Sequence, residues 1–484
     1  MGLGFKILAL VVLILGGYLI FNALITKSRA LSFSLKSEEN AFDDNNEVLF
    51  WDLKKPIKVK IVAPKGIKRY EIKVTTQDGL ILYEKESLVL DKPKSLEVPL
   101  IRPEIMGLED KCLDYEFQAS DWSYANFFNG NKASFKQEVC IDTIKPLISV
   151  LSRSPSIAYG GSAIVIFEAL DKNLSQAFVR VKKKDFKAFR LLEFKQRNVF
   201  ITLVPWSYEN KDFKAFIVAK DKAYNSNTTP LLFKRKTHRL REKEINLSAL
   251  KDKIAKQEKF QNHTEQTLLE MFSNLLFKRK THRLREKEIN LSALKDKIAK
   301  QEKFQNHTEQ TLLEMFSNVR LKDLEKIQKI ALEQGDFDKD FSHFQALKPL
   351  NGPFKMTSNF LENRRFLKDN QVLFKFLHLG VDLIPSKDLS LAFDPSVKRV
   401  FKGELDFYGN SLMDCYGLGL CVFLAHLKDD ESVGSSGLKL GSGLHLGMLL
   451  QGVFVRPNEW LNEQWIKTNI IAPIEQAKRL LMKG

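Results

Sequence analysis

Acidic residues are in deficit in this 484-residue chain: 59 Asp and Glu stand against 76 Lys and Arg, a formal charge of +17. Such an excess suits nucleic acid, an anionic membrane surface or an anionic cell-wall polymer. The lysines are spread along the whole chain, and recognition-helix, zinc-finger and RNA-binding signatures are all missing, so nucleic acid is not expected as a partner. Cysteine is scarce, with four residues. Cys112 and Cys140 fall in one strand-rich segment and Cys415 and Cys421 in another, so two local disulfides and four buried thiols both fit. Only eight histidines are present, which makes any grouping of them informative. With 44% hydrophobic and 28% charged residues most of the chain should be globular. Its length exceeds what one core can hold, so roughly three or four domains are expected.

Long apolar runs are absent apart from Ile7 to Ile25, which is uncharged and long enough to cross a bilayer as a helix. The shorter apolar core and A-x-A-like end of a cleaved signal peptide are not evident there. The expectation is a transmembrane anchor over 1–30. Lys6 and the amino terminus flank one side and Lys27 and Arg29 the other, so local charge leaves the orientation nearly balanced. The character of the downstream domains decides it: a single-pass protein of the inner (cytoplasmic) membrane, with the bulk of the chain periplasmic.

The reading along the chain is multidomain and mainly β. Ile57, Val59 and Ile61 alternate with lysines, as do Tyr70, Ile72 and Val74, and Phe213, Ala215, Ile217 and Ala219 also keep period two. Turn signals such as Asp78-Gly79 and Gly160-Gly161 separate these runs. β-Sandwich modules are therefore expected over 46–142 and 143–230. Asp142-Thr143-Ile144-Lys145-Pro146 and Asp221-Lys222-Ala223-Tyr224-Asn225 resemble the D-T-x-x-P entry and the D-x-A-x-N turn of bacterial immunoglobulin-like domains. A charged helical linker is expected over 231–340. Within it, residues 231–274 recur without change at 275–318. Solenoid repeats diverge and need three or more units, so an exact pair reads as a recent duplication or an assembly error. One copy should pack and the other loop out. A compact β-rich domain follows over 345–470, and a helical tail over 471–484.

Three of the eight histidines, His378, His426 and His445, fall in the β-rich domain. Asp382 follows His378 by four. Gly380 and Val381 weaken a helix between them, so a strand edge or loop is expected. A glycine-rich turn, Gly437 to Gly443, delivers His445 into a strand on which positions 443 and 445 share a face. Two nitrogens and a carboxylate are the donor set of an open catalytic zinc site.

The C-terminal domain resembles the lysostaphin-type (LytM-like) zinc metallopeptidases that cut peptidoglycan cross-links. The resemblance covers about 350–465 and is carried by an ordered set of segments. These begin with Thr357-Ser358-Asn359-Phe360, Arg364-Arg365 and His378-Leu379-Gly380-Val381-Asp382. They continue through Tyr408-Gly409-Asn410, Gly417-Leu418-Gly419-Leu420 and Ala425-His426-Leu427, and close with Gly447-Met448-Leu449 and Pro457-Asn458-Glu459-Trp460. The resemblance implies one zinc per chain on His378, Asp382 and His445, with His426 as an active-site histidine beside the metal-bound water.

Departures from the pattern are equally specific. The H-L-H of the family reads Gly443-Leu444-His445, and the missing histidine is the one the resemblance assigns to general-base work or to holding the tetrahedral intermediate. Leu424 replaces a tyrosine, and Cys415-Tyr416-Gly417 stands where D-H-G is expected. General acid-base groups contribute roughly 10²–10⁴-fold, so such a loss leaves a slow enzyme. The expected function is an impaired zinc endopeptidase acting on peptidoglycan cross-link peptides in wall remodelling. The alternative is a catalytically inactive scaffold of the same fold that binds the wall, an active peptidase or a cell-shape protein.

Overall fold

The structure is a computed structural model describing residues 3–25, 31–36, 48–102, 111–125, 129–194, 196–237, 286–290, 309–368, 371–386, 390–392, 394–429, 432–438 and 443–483. Most of the duplicated linker lies outside these residues, as does the helix expected after Ser248. The described residues are mainly β. They divide into two compact units, one holding 1–146 with 171–176 and 220–227, the other 147–170, 177–219 and 228–484.

One expectation is corrected at the start. A helix forms over Leu3–Ile25, yet among the described residues no helix is long and apolar enough to cross a membrane. The transmembrane anchor, and the single-pass inner-membrane placement that depended on it, are withdrawn.

The first unit is built on a five-stranded sheet in the order Val48–Trp51, Lys132–Ile141, Cys112–Asp121, Ile67–Thr76, Ile81–Leu88. A second sheet joins Ser32–Lys36, Lys58–Val62 and Ser95–Pro99. The period-two residues Val59, Ile61, Ile72 and Val74 point into one core with Tyr115 and Phe117. Cys112 and Cys140 face each other in register and are bonded. The two short immunoglobulin-like motifs meet here: Asn225 Nδ2 donates to the Asp142 carbonyl at 2.8 Å and to Asp221 Oδ2 at 2.9 Å.

The second unit holds the β-rich domain. Its sheet runs Phe354–Ser358, Val381–Pro385, Leu444–Leu450, Leu420–Leu427, Gly409–Gly417, Lys398–Leu405, with antiparallel neighbours throughout. Alternation splits its side chains between two cores. Leu444, Leu446, Met448 and Leu450 share one face with Ile164, Ile166 and Ile201 of the sheet that contains Ser162–Leu170 and Val199–Pro205. Cys421, Phe423, Ala425 and Leu449 take the other face. The helix Glu309–Gln334 covers this second face with Leu324, Ile327 and Ala331, a spacing of three and four. Gly335 ends the helix where a Cβ would meet the Ala331 carbonyl at 2.7 Å and Cys421 Sγ at 2.8 Å. Cys421 is bonded to Cys415. Burying such leucines contributes about 1.5–3 kcal/mol each, and this two-sided burial holds the central strands in place.

Candidate metal centre

His378 lies in the loop between Gln371–Leu377 and Val381–Pro385. The loop is clamped by backbone bonds, His378 N–H to the Glu362 carbonyl (2.9 Å) and Leu361 N–H to the His378 carbonyl (2.8 Å). Asp382 is the second residue of its strand, and His445 the second of Leu444–Leu450. These two are directly opposed in the ladder, so their side chains leave the same face. Gly380 makes the approach possible: a Cβ there would lie 2.5 Å from His445 Cε1 and 2.6 Å from the Leu446 carbonyl oxygen. The structure therefore brings His378, Asp382 and His445 together, all buried.

Three atoms define the centre. His378 Nε2 is 3.0 Å from His445 Nδ1 and 3.4 Å from Asp382 Oδ1, and His445 Nδ1 is 3.3 Å from Asp382 Oδ1. A tetrahedral zinc with bonds near 2.0 Å requires donors separated by about 3.3 Å. The observed triangle has those edges and leaves one vertex over.

Protonation is suited to a cation as well. The Asn359 carbonyl lies 3.1 Å from His378 Nδ1 and accepts its proton, which turns the Nε2 lone pair toward the cluster. Burial, then the Arg364 charge, lowers His378 to about 4, so the ring is neutral near pH 7. Burial opposes ionisation of Asp382, but the Arg364 guanidinium beside it outweighs burial and holds the carboxyl well below its ordinary range. Arg364 donates to Asp382 Oδ2, which leaves Oδ1 for the histidines. Metal ligands must be deprotonated in this way.

His426 reaches the site through a bulge. Asn410 pairs with Leu427 and Ser411 with Ala425, so His426 is an extra residue between them, at φ 64°. In a regular strand it would point away from Ala425 and His445. The bulge turns it back, to a ring-centroid distance of 6.0 Å from His445. Its Nδ1 lies 3.0 Å from the Ser436 carbonyl and donates there, which places the ring's lone pair on Nε2. Tyr408 packs 5.2 Å from His445 and 5.9 Å from His426 between ring centroids. Gly443 is buried at φ 153°, a backbone setting unfavourable for side chains.

Sequence reading missed Arg320 and the structural need for Gly380. Arg320 leaves the helix Glu309–Gln334 toward the site, and no motif or spacing marks it. Gly380 stands in a quoted segment, but its tight contact with His445 is visible only in three dimensions.

No family model matches the chain, and no curated protein matches it. Among solved structures, one from Pseudomonas aeruginosa assigned to peptidase M23 is 14% identical, covering 65% of this chain and 97% of its own, with a TM-score of 0.31. A zinc containing peptidase from Vibrio cholerae is 10% identical over 72% of this chain and 80% of its own, at 0.20. Murine CEACAM1b is 7% identical over 42% of this chain and all of its own, at 0.21. These TM-scores lie below 0.5, and the reading of the site rests on the residues themselves.

Proposed function

We propose that this chain is a lysostaphin-type zinc metalloendopeptidase acting on peptidoglycan cross-link peptides, with turnover reduced by the loss of a histidine at 443. The triangle of His378 Nε2, Asp382 Oδ1 and His445 Nδ1 carries the reading, because its edges match the donor spacing of tetrahedral zinc. When bound, zinc supplies Lewis-acid polarisation of a peptide carbonyl and activation of a water. His378 and His445 hold it through ring nitrogens and Asp382 through one oxygen. Arg364 orients that carboxylate, a supporting contact of the kind that tunes ligand geometry. His426, its Nδ1 proton committed to Ser436, takes up a proton at Nε2.

Gly443 favours a second reading, a non-catalytic scaffold that binds the wall or an active peptidase partner. Gly443→His separates the two. A gain of tenfold or more in cross-link cleavage fits an impaired enzyme, which general acid-base groups make a modest expectation. Unchanged, undetectable cleavage in a folded, zinc-loaded variant fits the scaffold.

A further inference from the structure

Arg320 is 8% exposed, and burying a charge without a counter-charge is costly. Its NH2 group donates to the Leu377 carbonyl at 2.7 Å and the side chain donates to Tyr408. Among the described residues no carboxylate pairs with it, and its buried Nε has no hydrogen-bond partner. Asp323, one turn along the same helix, is committed elsewhere: Oδ2 accepts from the backbone N–H groups of Phe407 (2.7 Å) and Tyr408 (3.3 Å).

A second guanidinium stands beside it. Arg320 and Arg364 share the Phe376 ring, with Cζ atoms 4.4 and 6.0 Å from its centroid. Arg364 is bonded to Asp382, but its Nε is also buried without a hydrogen-bond partner. Glu362 Oε1 stops 4.0 Å from that Nε, beyond hydrogen-bonding reach, and is itself unsatisfied. Arg364 has counter-charges in Asp382 and Glu362, whereas Arg320 has none among the described residues, so an anion at Arg320 would relieve an unpaired charge and an unmet donor. The place is beside the metal centre, because Leu377 precedes His378 and Tyr408 packs against His445.

We infer that Arg320, with Arg364 beside it, forms a subsite for a carboxylate carried by the peptide ligand. The inference rests on the reading of the centre as a peptide-processing metal site. It assigns that site a preference for peptides with a free carboxylate close to the bond presented to the metal.

Calorimetric titration of the full chain with N-acetyl-diglycine and with its C-terminal amide tests this, in zinc and in a chelator. The acid should bind at least roughly tenfold more tightly than the amide under both conditions. Arg320→Gln should reduce the preference to less than about twofold, with the thermal midpoint monitored as a check on folding. Arg320→Lys, which keeps the charge but loses the fork, should fall between them. Equal binding of acid and amide by the unaltered chain overturns the subsite. So does a preference that survives Arg320→Gln, or one confined to the zinc-loaded chain, which would assign the carboxylate to the metal. Failure to bind zinc would remove the metal reading while leaving the acid-over-amide comparison intact.

Discussion

Gly380→Ala tests how the centre is assembled without replacing any of the three ligands. The added methyl would lie 2.5 Å from His445 Cε1, 2.7 Å from His445 Nε2 and 2.6 Å from the Leu446 carbonyl oxygen. That oxygen belongs to the ladder between Val381–Pro385 and Leu444–Leu450, so it cannot move without shifting the strand that carries His445. The ring must turn or the strands must part. Overpacking of this kind costs about 1–3 kcal/mol, which corresponds to a midpoint lower by several degrees. Because the strain falls on a ligand ring, zinc affinity should drop roughly tenfold or more. Gly447→Ala is the matched control in the same strand, since its Cβ would meet ordinary contacts at 3.5–3.6 Å. Competition with a chromogenic chelator and a thermal melt measure both effects. If Gly380→Ala binds zinc and melts like the unaltered chain, the account of the His378–Asp382–His445 packing is wrong.

Two further outcomes concern protonation. Burial lifts the Glu459 carboxyl to about 7, against hydrogen bonds from Ser162 N–H (2.9 Å) and Oγ (3.2 Å). A folded value above the ordinary 4.5 means its contribution is full below about pH 4.5 and is lost as pH rises to 7. Glu459→Gln should flatten the decline across that window by at most about 3 kcal/mol, and identical midpoint-versus-pH curves would contradict this. His378 is lowered instead, so its contribution is present above 6.5 and is lost as pH falls towards 4. In the zinc-free chain its ring should stay neutral at pH 5.5 by nitrogen-detected NMR, and a midpoint near 6.5 would refute the buried, Arg364-flanked setting.

Several features were legible in the sequence for physical reasons. Period-two alternation at Val59, Ile61, Ile72 and Val74 requires one buried face, and those residues share a core. His378, Asp382 and His445 were readable because strand pairing can join distant residues of the right chemistry, and Gly380 and Val381 argued against a helix. Local pairing of the cysteines left two options, and the in-register partners Cys112 with Cys140 and Cys415 with Cys421 settle them as disulfides. His426 shows what spacing cannot convey, because one inserted residue reverses the direction of a side chain. Arg320 was hidden for a different reason: its meaning comes from a helix laid across the sheet, not from its neighbours in sequence. The apolar run at the amino terminus misled: it forms a helix, but among the described residues no helix is long and apolar enough to cross a membrane.

The most direct measurement is the zinc content of the purified full chain beside His445→Ala. The account predicts about one zinc per unaltered chain and little or none in the variant. No zinc in either, or equal zinc in both, would contradict the assignment of His378, Asp382 and His445 as a metal centre.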